Sequence, residues 1–231
     1  MASMLTIPFR VNRRRFLEAV LVSGGAVAAS LPAAAREAGA APSHAATVLV
    51  LGDSLSAEYG LRRGTGWVGR LAQRLGEQDP PWAVVNASIS GETSAGGRSR
   101  IEDLLRRHEP QVVVVELGGN DALRGLDLRS TEANLDAIVG AARRAGARVL
   151  VLGMQVPPNY GPAYADAFAA IFPRVAERHD AAVVPFFLER IADDMQWFQP
   201  DRIHPNEAAQ PLLFETVWPA LEPLLGAPAA R

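Results

Sequence analysis

The chain has 231 residues, enough for one domain of ordinary size with a substantial core. Hydrophobic residues make up 48% and charged residues 21%, the balance of a globular rather than a disordered protein. A net charge of −2 offers no general attraction to nucleic acid or anionic membrane, the lack of cysteine excludes disulfides, thiolate nucleophiles and cysteine-bound zinc, and the restriction of all 23 basic residues to arginine excludes a serine–lysine dyad or a Schiff-base lysine.

Residues 1–45 differ from the rest. An arginine cluster, Arg13 to Arg15, precedes an apolar, small-residue run from Phe16 to about Ala35. The order Asn12-Arg13-Arg14-Arg15-Phe16-Leu17 resembles a twin-arginine export signal, and Ala33-Ala34-Ala35 suits cleavage. Glu18, Gly24, Gly25 and Pro32 interrupt the run, so no stable membrane span is expected. Residues 1–45 therefore read as an export leader and linker, and the folded domain is expected over 46–231. Removing 1–45 takes away five arginines and two glutamates and leaves a charge of −5.

Beyond the leader, short apolar runs alternate with segments of helical period. Strands are predicted at Thr47–Leu51, Ala83–Ala87, Gln111–Leu117, Arg148–Gly153 and Ala181–Pro185. Between them, Trp67, Leu71 and Leu75 share a helix face, as do Ile101, Leu104, Leu105 and His108. Thr131, Leu135, Ile138, Val139 and Ala142 form another stripe. A last helix is predicted from about Asn206 to Leu225, with Pro211 in its first turn or at a kink. Strands this apolar, alternating with helices, predict a five-stranded parallel sheet covered on both faces: a three-layer α/β/α sandwich.

Loops leaving parallel strands carry the chemistry of such folds. The exits read Gly52-Asp53-Ser54, residues 86–97, residues 116–125 and residues 154–164, and a further polar loop spans 199–211. Ester hydrolysis needs a nucleophile, a base, an acid to orient the base, and donors for an oxyanion. Ser54 is the candidate nucleophile, although Asp53 and Ser54 could also cap the next helix. Of the four histidines, His44 lies in the leader, and His108 and His179 end predicted helices, where an imidazole suits the dipole. His204 lies in a loop three residues after Asp201. An Asp-x-x-His turn sets a carboxylate against Nδ1–H and frees Nε2 to accept the serine proton. The same pair could cap the last helix, or His204 could join Asp53, Asp121 and Asp201 around a metal ion. The Ser54 N–H, the N–H of Gly91 and the Asn120 side chain are candidate oxyanion donors; plain turn roles remain open for Gly91 and Asn120. Ile89, Met154, Val156, Pro157 and Tyr160 are candidate apolar contacts for an acyl group, with core packing as the alternative. Ser56 stands where an α/β-hydrolase elbow requires its second glycine.

Gly52-Asp53-Ser54-Leu55, Gly91, Gly118-Gly119-Asn120-Asp121 and Asp201-x-x-His204 resemble, in order, the blocks of the GDSL, or SGNH, hydrolases. The likeness extends over nearly all of 46–225. "VVNASISGETSAGG", "VVVELGGNDALRG", "NYGPAYADAF" and "IHPNEAAQP" resemble the bacterial periplasmic multifunctional branch. That resemblance implies a flavodoxin-like fold and thioesterase, arylesterase and lysophospholipase activities on small-molecule or lipid acyl esters. It also implies no cofactor, and it maps functional roles onto Ser54, Gly91, Asn120, Asp201 and His204; no metal is expected either, since a single histidine without a clustered motif makes a poor metal site. The long arginine-bearing leader departs from the short leader of that branch. It leads to export machinery and a periplasmic or secreted location. A carbohydrate O-acetyl esterase, a metal-dependent phosphodiesterase and a non-catalytic exported binding protein are the alternatives.

Overall fold

The strands of the sheet are short and rich in valine or leucine, and the one at its centre, Val112–Glu116, is buried along its whole length. The computed structural model describes residues 46–226; the predicted leader over 1–45 lies outside the described residues. The strands are β1 (Ala46–Gly52), β2 (Trp82–Asn86), β3 (Val112–Glu116), β4 (Arg148–Leu152) and β5 (Ala182–Val184). All pair in parallel, in the order β2-β1-β3-β4-β5. Each predicted strand agrees within one residue at either end, and the α/β sandwich follows as expected.

The helices are α1 (Trp67–Gly76), α2 (Ser94–His108), α3 (Gly119–Leu123), α4 (Leu128–Arg144), α5 (Pro162–Ala169), α6 (Ile171–Arg178) and α7 (Gln210–Leu221). α1 and α7 pack together on one face of the sheet, and α2, α4 and α6 pack in succession on the other. The predicted stripes supply the contact: Trp67, Leu71 and Leu75, Ile101, Leu104 and Leu105, and Leu135, Ile138 and Val139 are buried. Gly97 lets α2 lie directly on the sheet, since a Cβ there would come within 2.3 Å of Leu117 Cδ1. Caps set the boundaries. The Thr93 hydroxyl accepts from Gly96 N–H to open α2, and Asp127 accepts from Ser130 N–H to open α4.

Two expectations change. The single helix predicted over Asn206–Leu225 is three pieces: a 3-10 turn at Glu207–Ala209, α7, and a 3-10 turn at Glu222–Leu225. Pro211 does fall in the first turn of α7, where its missing N–H costs nothing, but Pro219 lies inside the helix, and the chain tightens three residues later. The exits at 116–125 and 154–164 are also more ordered than loops, because α3 forms in the first and α5 starts at Pro162 in the second.

The strand order sets where a site forms. β1 pairs with β2 on one side and β3 on the other, so the chain changes direction between β1 and β3. Gly52 and Glu116 are register partners, so both strands end level. A ligand crevice belongs outside the carboxyl ends at this switch point.

Candidate active site

Ser54 leaves β1 at that crevice. Residues 53–60 wind through turns, with Ala57 N–H donating to Asp53 C=O and Tyr59 N–H to Ser54 C=O. The first helix begins only at Trp67, with Gly66 before it, so neither Asp53 nor Ser54 is a helix cap. Asp53 instead accepts from Leu55 N–H at 3.1 Å, which closes the turn under Ser54.

His204 arrives on the loop before α7. The loop is folded on itself by a bridge between Phe198 and Pro205 and by Gln199 N–H donating to His204 C=O at 2.7 Å. Asp201 Oδ1 accepts from Ile203 and His204 N–H, each at 3.0 Å. These backbone donors hold the Asp201 carboxyl down to about 2, below the usual aspartate value. Its Oδ2 lies 2.7 Å from His204 Nδ1, and His204 Nε2 lies 2.9 Å from Ser54 Oγ. An ionised Asp201 accepts from Nδ1–H, which leaves Nε2 to accept from the Ser54 hydroxyl. The turn before α7 is capped by Asn206, not by Asp201 or His204. The Tyr59 ring covers the imidazole, with centroids 4.4 Å apart.

The three expected oxyanion donors border the same crevice. Ile89 N–H donates to Gly52 C=O at 3.0 Å, which draws the 87–92 loop alongside the end of β1. Gly91 turns the chain at φ +79°, and Arg124 holds it by donating to its C=O at 2.8 Å. Among the described residues, no acceptor takes the N–H of Ser54 or of Gly91. Asn120 Nδ2 already donates twice, to Asp53 Oδ2 at 2.8 Å and to Glu92 C=O at 3.1 Å. Asp121, the next residue, accepts from Ser94 N–H, Ser94 hydroxyl and Thr131 hydroxyl, and so ties α2 and α4 to the Asn120 turn.

A second carboxyl lies below. Glu116, fully buried at the end of β3, accepts from the Ser56 hydroxyl at 2.8 Å and from Asp53 N–H at 3.2 Å. Burial, then the neighbouring Asp53 charge, pushes Glu116 well above the usual glutamate range. Burial raises Asp53 to about 6 against the hydrogen bonds from Leu55 and Asn120.

The apolar candidates separate by burial. Met154 and Val156 belong to the core; Met154 Cγ lies behind Gly119, 3.8 Å from a Cβ there. Ile89 and Pro157 are exposed, and Tyr160 is half-buried beside Tyr164. Tyr59, Glu116 and Gln199 escaped the sequence reading. Glu116 did carry a signal, a carboxylate closing an all-valine strand; Gln199 carried none.

Residues 50–211 match the GDSL-like Lipase/Acylhydrolase family, and the chain belongs to it. It is a hydrolase of the SGNH esterase class, acting on ester bonds. It is 51% identical over 181 residues to the esterase TesA of Pseudomonas aeruginosa, covering 78% of this chain and 90% of that one. It is 42% identical over 179 residues to the thioesterase 1/protease 1/lysophospholipase L1 of Escherichia coli K12, covering 78% and 85%. The crystal structure of TesA superposes with a TM-score of 0.75 over 78% of this chain and 99% of that one. That of the psychrotrophic esterase EstA from Pseudoalteromonas superposes with 0.72 at 39% identity, over 78% and 98%.

Proposed function

We propose that the protein is an exported serine esterase that hydrolyses acyl esters and thioesters through a Ser54–His204–Asp201 triad and an acyl-enzyme. The observation that carries this reading is the unbroken hydrogen-bonded chain from Asp201 Oδ2 through both imidazole nitrogens to Ser54 Oγ. His204 Nε2 takes the hydroxyl proton as Ser54 Oγ attacks the carbonyl carbon, and Asp201 stabilises the imidazolium that forms. The carbonyl oxygen gains the charge and is met by Ser54 N–H, Gly91 N–H and the Asn120 amide. To donate, Asn120 releases the longer of its two bonds, to Glu92 C=O, and keeps the shorter one to Asp53. His204 then protonates the departing alcohol or thiol, and water repeats the steps on the acyl-enzyme.

Arylesterase-, thioesterase- and lysophospholipase-like activity is the substrate range proposed, in keeping with the names of the relatives. Ile89 and Pro157, which are exposed, and Tyr160, which is half-buried, are the proposed acyl contacts. The leader over 1–45 is proposed to direct twin-arginine export to the periplasm or beyond; among the described residues no helix is long and apolar enough to cross a membrane.

A panel of p-nitrophenyl esters, acyl thioesters and acetylated sugars, run on wild type and Ser54→Ala, tests the proposal. Ester and thioester turnover should disappear in Ser54→Ala with unchanged melting, and a chelator should leave the wild type unaffected. Comparable turnover by the variant overturns the nucleophile; a preference for acetylated sugars overturns the substrate class.

A further inference from the structure

The Ser54–His204 contact joins residues 150 apart in sequence, on two loops that share little else. Among the described residues, no backbone–backbone hydrogen bond links residues 53–66 to residues 197–207. One side chain crosses the gap at the level of the site. Gln199 Nε2 donates to Tyr59 C=O at 2.8 Å and to Pro205 C=O at 3.1 Å. A carboxamide nitrogen has two hydrogens, so each carbonyl takes one and the orientation of the amide is fixed. Tyr59 lies on the turn that Ser54 opens, and Pro205 follows His204. The main chain of Gln199 serves the same loop, donating to His204 C=O and accepting from Arg202 N–H.

The opposite side of the clamp is equally constrained. Gly60 follows Tyr59 at φ +72°, and a Cβ there would lie 2.1 Å from Gln199 Oε1. The turn therefore lays its main chain against the carboxamide, and the Tyr59 ring on the same turn lies over His204. A second link between the two segments, Arg62 to Glu207, is an exposed ion pair, of the kind that contributes little.

We infer that Gln199 is a positioning residue whose carboxamide sets the spacing between the loop bearing Ser54 and the loop bearing His204. The inference rests on the serine-esterase reading above. Reaction rates are steep functions of such spacing, because a misplacement of about 1 Å can cost on the order of a hundredfold.

Three variants test it. Gln199→Met keeps most of the side-chain length and loses both N–H groups. Gly60→Ala drives a methyl into the clamp from the other loop. Glu207→Ala breaks only the exposed ion pair. Each is first titrated with a p-nitrophenyl phosphonate, so that rates are counted per reactive serine rather than per milligram. For Gln199→Met and Gly60→Ala, kcat per titrated site should fall about tenfold or more and the phosphonylation rate should fall with it, while KM stays within about twofold. The double variant should fall well short of the product of the two single effects, since both changes act on one contact even though Gly60→Ala also strains a left-handed turn. Glu207→Ala should match wild type. The inference is overturned if Gln199→Met keeps wild-type kcat per titrated site, if all lost activity is lost titratable sites, or if the two effects multiply. A wild type that releases no nitrophenol burst overturns the serine itself, and the clamp falls with it, a result distinct from a normal burst with an indifferent Gln199.

Discussion

Asp201 Oδ2 holds the imidazole by Nδ1, while Oδ1 is held by two main-chain donors. The carboxylate is thus fixed before the histidine needs it. Asp201→Asn keeps the shape but can offer an amide to Nδ1, which favours the wrong tautomer; kcat should fall by at least about a hundredfold, read on p-nitrophenyl acetate. Asp201 adds no acid limb to the pH profile near neutrality, because its carboxyl is held at about 2. The stability this carboxylate contributes is present above its unfolded value of 3.8 and is lost only as the pH falls towards 2.

Helix α2 shows how elements deliver residues to the crevice. Its amino end carries Ser94, bound to Asp121, and its fourth residue, Gly97, touches the sheet. Gly97→Ala should lower stability by about 1–3 kcal/mol, seen as a drop of several degrees in Tm, because the new methyl meets Leu117 and Leu51 rather than a flexible surface chain. The strands and helix stripes were legible because burial leaves a periodic apolar trace in the sequence. The positions of Ser54, Asp201 and His204 were legible because one serine stood at the first strand exit and only one histidine stood in a loop outside the leader, three residues after an aspartate. The short helix α3 was not, since five residues of Gly-Asn-Asp-Ala-Leu carry no period and are held by Asp121 and its partners. Gln199 and Tyr59 were hidden for a related reason: each acts through a main-chain or ring contact with a segment far away in sequence.

For the whole molecule, the buried Asp53–Glu116 pair makes stability depend on pH in an unusual direction. Asp53 is raised from 3.8 to about 6, so the folded state binds the proton more tightly than the unfolded chain. Stability therefore falls as the pH rises from about 4 to about 6, and above that the cost of the Asp53 charge is on the order of 3 kcal/mol. Glu116→Gln mimics the protonated neighbour. It should raise Tm at pH 8 by several degrees and change it little at pH 4, as measured by thermal unfolding at both pH values. A larger gain at pH 4 would mean that Glu116 is ionised in the fold.

The chain order of the site has a consequence for biosynthesis. A ribosome that has made residues 1–178 has translated every strand but β5, together with Ser54, Gly91 and Asn120, while His204 is still untranslated. On the triad reading proposed above, nascent protein still lacks its base. The proposed site is completed only when the closing stretch docks beside the first strand, so on that reading the end of synthesis is its own safety catch.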